Sequence, residues 1–229
     1  DDIYNKAIDF KTGFGRPNVR RAYNVIKESQ FSSGQIANGA SNNLSIAVPA
    51  NTAQVKIMLY WHDYEATENA AQALVNDLDL TVTDPSNNLI LPWGLDTAAN
   101  AVSLNALPTR KADHINNAEQ ITIDNPAAGN YNININGYLI PQGPQQYYIT
   151  YEFVKDEILM AYPLGGESMA PGTQEYLRWD AYGTPGTYNL DYSIDNGASW
   201  NVIAANIAAN VKQYKWTVPN LASKIQIRI

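Results

Sequence analysis

Short runs in which apolar residues alternate with polar ones recur along this sequence, and a period of two admits strands and little else. Leu44, Ile46 and Val48 alternate in "LSIAVPA", Val55, Ile57 and Leu59 in "VKIMLYW", and Leu78, Leu80 and Val82 in "LDLTVTDP". "EQITIDNPAAGNYNININGY" reads as strand, turn, strand, and "QQYYITYEF" closes the set. Pro-Ser-Asn-Asn and Pro-Ala-Ala-Gly-Asn are turn-formers, because Pro presets φ while Gly and Asn tolerate positive φ. Fifteen tyrosines and five tryptophans add residues that suit a pleated, half-buried surface. Short strands with frequent turns and no helices between them predict a mainly β chain, with an antiparallel jelly-roll sandwich over residues 32–155.

A charged break, "KDE", precedes a second all-β block over residues 156–229. "ILMAYP", "EYLRWDAY", "YNLDYSID", "WNVIAAN", "YKWTVP" and "IQIRI" supply its strands, and Asp195-Asn196-Gly197 the positive-φ residues of a tight hairpin. Trp179, Trp200 and Trp216 are expected in the core or between sheets. This block reads as a small immunoglobulin- or fibronectin-type sandwich without its last strand.

One helix precedes both blocks. In "GFGRPNVRRAYNVIKESQF", Pro17 suits a first helical turn, where its missing N–H costs nothing. Val19, Ala22, Tyr23 and Ile26 then form one apolar stripe, which a single short helix cannot bury by itself. Residues 1–31 must therefore dock on something, either the next domain or a missing one, and "SSGQIANGASNN" is expected to bridge the helix to the sandwich.

Composition narrows the function classes. A net charge of −7 with no basic run argues against nucleic acid and anionic membrane as partners. The absence of cysteine removes disulfides, thiol nucleophiles and Cys-ligated zinc. No apolar run approaches a membrane span, and no signal peptide is visible. Both ends read as cut, "KIQIRI" in the middle of an alternating strand, so the chain is expected to be a piece of a longer protein.

"GGESMAPGT" tests that reading, since Gly166-Glu167-Ser168-Met169-Ala170 is one residue from the Gly-Thr-Ser-Met-Ala segment that carries the nucleophile in subtilisin-like proteases. Such a serine must open a long helix with its Oγ aimed at a histidine. Pro171-Gly172 and the alternating "TQEYLRWDAY" follow instead, and Glu167 places a negative charge where an oxyanion would form. Ser168 is rejected as a nucleophile and placed in a loop between strands. The stretch from Pro163 to Glu167, with Arg178-Trp179, Ser193 to Gly197 and Trp200, resembles immunoglobulin-like modules appended to bacterial secreted enzymes.

Two other segments resemble subtilases. Gly13-Phe14-Gly15, Pro17-Asn18 and Ala22 fill the places of the last turn and closing helix of a subtilisin-like catalytic domain. Trp61-His62-Asp63, Leu74 to Leu80, Pro85 to Asn88 and Asn116-Asn117-Ala118-Glu119 resemble the β-domain that follows the catalytic domain in many bacterial subtilases. That domain is similar to the galactose-binding-like jelly roll and to the P-domain of proprotein convertases. The resemblance implies a secreted or cell-surface bacterial serine endopeptidase as parent, with its catalytic Asp, His and Ser upstream of Asp1. The parent's own catalytic domain would be the partner of this piece, and protein or peptide substrates would be engaged through the parent.

Asp77 and Asp79 are two apart, so on a strand both point away from the Leu78/Leu80 face, and Asn117 and Glu119 repeat that geometry. If the two strands neighbour each other, these four converge, with Asp63 and Asn76 close by. Oxygen-only ligation suits Ca²⁺, and the resemblance implies calcium. The alternative is that these Asn and Asp residues cap turns and satisfy buried backbone groups. His62 and His114 are expected in structural or surface roles, and Trp61 and Trp93 in the core. The expectation overall is a non-catalytic accessory region of a subtilisin-like endopeptidase. Its rival is a carbohydrate- or surface-binding sandwich with Trp61 and Trp93 exposed.

Overall fold

In the computed structural model, which describes residues 7–182 and 186–229, nearly all regular structure is strand. The chain divides into two compact units, Asp1–Val154 and Lys155–Ile229. Among the described residues the sheets are antiparallel where their register is defined, and none closes into a barrel.

The first unit begins with α1 (Val19–Lys27). Its strands are β1 (Phe31–Ile36), β2 (Ser41–Val48), β3 (Thr52–Trp61), β4 (Asp77–Thr83), β5 (Leu89–Ile90), β6 (Trp93–Gly94), β7 (Thr109–Arg110), β8 (Ala118–Asp124), β9 (Gly129–Leu139) and β10 (Gln145–Lys155). A one-turn helix, α2 (Ala101–Leu104), sits between β6 and β7. Two four-stranded sheets form, in the orders β1-β10-β3-β8 and β2-β9-β4-β5, and β6 pairs with β7. The alternation read from the sequence explains how they pack. Val55, Ile57 and Leu59 of β3 and Ile149 of β10 come from one sheet, Leu78, Leu80 and Val82 of β4 and Ile133 and Ile135 of β9 from the other. All are essentially excluded from solvent in one shared core. Each such side chain contributes roughly 1.5–3 kcal/mol of burial, so the shared core is the main force joining the sheets.

Two details differ from expectation. The Ser/Gly/Asn-rich bridge is mostly strand: β1 pairs along its whole length with β10, and β2 starts at Ser41. Periodicity missed β1 because an edge strand is held by its ladder, and only Ile36 of its residues is buried. Gly34 is the reason the segment fits, because Tyr147 on β10 lies where a Cβ would stand. The helix starts two residues later than Pro17 suggests, leaving Pro17 just outside it and Asn18 as N-cap accepting from the Arg21 N–H. Its apolar stripe faces outward, with Val19 79%, Tyr23 60% and Ile26 67% exposed. Arg21 fixes the helix to β10 instead, donating from Nε and Nη2 to the two carboxylate oxygens of Glu152 at 2.5 and 2.6 Å.

In the second unit, β11 (Ile158–Tyr162), β12 (Gln174–Ala181) and β15 (Gln213–Thr217) form one sheet, and β13 (Thr187–Ser193), β14 (Asn201–Ala208) and β16 (Gln226–Arg228) the other. Leu177, Trp179, Tyr188, Leu190 and Trp216 fill the core between them. Trp200 is not in that core; the Arg228 guanidinium lies 4.0 Å above its ring. Asn196 and Gly197 do take positive φ. The connection is longer than a tight hairpin, because the last pair is Tyr192 with Asn201, and Asp195 braces it through Ser193 Oγ, Ser199 Oγ and the Ser199 N–H. Ser168 is exposed in the loop from β11 to β12, where the Glu167 carboxylate accepts the N–H groups of Leu164 and Gly165.

Gly137 on β9 donates to the Ala40 carbonyl and accepts from Gly39 N–H, and an added Cβ would press on the Ala37 carbonyl oxygen. Backbone cannot step aside as a side chain can. Gly137→Ala should therefore lower stability by about 2–3 kcal/mol, the upper part of the overpacking range, read as a shift of the urea midpoint at unchanged slope.

Candidate metal centre

The six residues expected as an oxygen cage separate into two groups. Asp63, Asn76 and Asn117 are committed to the protein. The Asp63 carboxylate accepts the N–H groups of Val75 and Asn76 at 2.7 and 2.8 Å. Asn76, fully buried, donates from Nδ2 to the Gln142 carbonyl and to Gln145 Oε1, and its Oδ1 accepts from the Gln142 N–H. Asn117 Nδ2 donates to the Trp61 carbonyl, and Trp61 Nε1 donates to the Asn76 carbonyl. Trp61 is wholly buried, and Trp93 donates from Nε1 to Thr122 Oγ1 beneath the Arg110 guanidinium, 3.6 Å from its ring centre. Neither ring is an open stacking platform.

Asp77, Asp79 and Glu119 form the second group. β4 and β8 belong to different sheets but meet at one side of the sandwich, where Glu119 Oε2 accepts the Leu80 N–H at 2.5 Å. A bulge places the aspartates: β4 runs from Asp77 to Leu78 while β9 runs from Leu139 to Gly137, so Tyr138 is an extra residue. The Tyr138 ring stacks on His114, with centroids 4.2 Å apart and planes 21° apart. His114 Nδ1 lies 2.8 Å from Asp77 Oδ2 and 3.6 Å from Asp79 Oδ1. The 2.8 Å contact is close but poorly aligned for a hydrogen bond, and Nδ1 and Asp79 Oδ1 both lack a hydrogen-bond partner. Asp77 Oδ1 and Glu119 Oε1 are likewise buried and unpartnered.

The electrostatics follow from burial. Desolvation pushes Asp77 up to about 6, with His114 drawing it down and Asp79 adding to the rise. Asp79 is raised by burial too, against His114 and a hydrogen bond from Asn136. Glu119, 1% exposed, is pushed up to about 9 by burial, with the Leu80 N–H opposing and the charges of Asp79 and Asp113 adding. His114, expected in an isolated role, is the residue the sequence reading missed. The signal available was its place just before Asn116-Asn117-Ala118-Glu119 in the segment already matched to the aspartates. Asp113, beside it, is occupied by the N–H groups of Ile115 and Asn116 and by Asn116 Nδ2. A cleft of about 450 Å³ between the turn at Asp9 and Phe10 and the segment 111–116 reaches His114.

No family model matches the chain, and no curated protein matches it either. Among solved structures it is similar to the crystal structure of Bacillus licheniformis lipase BlEst2 in propeptide form, at 12% identity and a TM-score of 0.33. That likeness covers 82% of this chain and 39% of that one, so the chain spans well under half of the other protein's length. A likeness this remote carries no argument about activity.

Glu119 gives a pH dependence of definite sign. An ordinary glutamate titrates near 4.5, so between about 4.5 and 9 the folded chain holds a proton that the unfolded chain has lost. The associated stability is complete below the unfolded value and is lost as pH rises toward 9. Glu119→Gln keeps an oxygen for Leu80 N–H and cannot ionise. In chelator-treated protein it should gain on the wild type by about 4 kcal/mol between pH 5 and pH 8, measured as the difference between their urea denaturation curves.

Proposed function

We propose that this chain is a non-catalytic accessory region of a secreted subtilisin-like serine endopeptidase, stabilising the catalytic domain and assisting its engagement of substrate or surface. The observation that carries the reading is the outward stripe of α1. Val19, Tyr23 and Ile26 stand in solvent while Arg21 holds the helix on β10. An amphipathic helix of this length gains its stability from tertiary packing of its apolar face. A stripe left outside the sandwich is suited to a further domain, and the segment Gly13 to Ala22 is the one that resembles the closing helix of a subtilisin-like catalytic domain.

The second support comes from the motif that resembles subtilase β-domains. Its residues Trp61, Asp63, Asn76 and Asn117 bond one another or one another's backbone. They act as framework, as an accessory domain requires. Ser168, exposed on a loop with Pro171 and Gly172 ahead of β12, has no helix behind it to serve a nucleophile.

The purified chain should hydrolyse neither casein nor peptide esters, and Ser168→Ala should change nothing. Joined to the polypeptide encoded upstream, it should yield a phenylmethylsulfonyl-fluoride-sensitive peptidase. Tyr23→Asp with Ile26→Asp should then lower the melting temperature of the joined enzyme by several degrees while leaving that of the isolated chain unchanged. Activity of the isolated chain lost on Ser168→Ala would overturn the reading. So would an upstream region without Asp, His and Gly-Thr-Ser-Met-Ala segments.

A further inference from the structure

We infer that Asp77, Asp79 and His114 form a binding site for a divalent transition-metal ion of the zinc class, which ties β4 to the segment leading into β8. The inference is independent of the protease reading and replaces the oxygen-only cage expected from the sequence.

One ligand atom from each of the three residues lies within 4.8 Å of the other two. A tetrahedral zinc with bonds of ~2.0–2.2 Å sets neighbouring ligand atoms about 3.3 Å apart. The separations of His114 Nδ1 from Asp77 Oδ2 and Asp79 Oδ1, 2.8 and 3.6 Å, bracket that value, so small side-chain rotations suffice. His114 Nδ1 and Asp79 Oδ1 have no hydrogen-bond partner although both are shielded from solvent. The Asp77 side chain is more than nine-tenths buried, and its Oδ1 is unpartnered as well. Polar atoms left in that condition cost stability, and a cation coordinated to them removes the cost.

Imidazole nitrogen selects the metal. Calcium takes six to eight oxygens, whereas zinc accepts nitrogen and carboxylate together at low coordination number. Of the residues that would complete a calcium shell, the Asp63 carboxylate already accepts the Val75 and Asn76 N–H groups and Asn76 Oδ1 accepts the Gln142 N–H. Tyr138 stacks on the imidazole and holds its plane. The metal would be a staple across the side of the sandwich where the two sheets meet.

Chelator-treated protein titrated with ZnCl₂ should bind one equivalent and show a raised melting temperature, while CaCl₂ at the same concentration should not. His114→Ala should weaken zinc binding by more than about tenfold, since loss of even an outer-shell partner costs 10–100-fold. His114 and His62 are the two histidines of the chain, so long-range ¹H–¹⁵N spectra of the wild type supply a readout that does not depend on a variant folding. Zinc should move the His114 Nδ1 resonance and leave that of His62 in place. Stabilisation by calcium that persists in His114→Ala would overturn the inference in favour of an oxygen site. No response to either ion, or a zinc response confined to His62, would leave only a His–Asp ion pair and overturn it too.

Discussion

Asn76 is fully buried at the start of β4, and the first unit's arrangement depends on how its amide is satisfied. Its Nδ2 protons go to the Gln142 carbonyl and Gln145 Oε1, and its oxygen takes the Gln142 N–H. The connection between β9 and β10, which lie in different sheets, is thereby locked to the entry of β4. Trp61 Nε1 bonds the Asn76 carbonyl, and Asp63 bonds its N–H. A buried amide with one missing partner costs about 1–3 kcal/mol, so a change at any member is felt by the others. The network also sets where Asp77 begins, and so which way the following carboxylates point.

The strands of both cores were legible because one-face burial leaves a period of two that survives in the sequence. Val55, Ile57 and Leu59, or Leu177 and Trp179, could be assigned a face by counting. β1 was not legible, since its residues are held by hydrogen bonds to β10 and only Ile36 is buried. The orientation of α1 was not legible either. The helix does carry an apolar stripe, but periodicity says only that such a face needs covering, and Arg21 with Glu152 turned it outward.

The site shows the same division. The spacing of Asp77 and Asp79 correctly placed two carboxylates together, and Glu119 joined them across the sheets. Strand periodicity could not separate these from Asp63, Asn76 and Asn117, because all are short polar residues near turns and the distinction lies in which backbone groups lack partners. His114 escaped because it lies in a loop, where no repeat constrains it, and a bulge at Tyr138 brings the stacking ring to it. A bulge is invisible to alternation, since it is the place where alternation fails.

Arg110, on the short strand β7, has a bearing on solubility. Its guanidinium lies over Trp93 and donates to the Leu91 and Thr122 carbonyls. Thr122 belongs to β8, the outermost strand of its sheet, whose unpaired carbonyls would otherwise offer a template to a strand from another molecule. A cation stacked on an indole and bonded to that edge shuts the template, and does so without a full-length covering strand. The sandwich is therefore guarded on this side against runaway sheet extension, a hazard for any β-rich chain with an open edge.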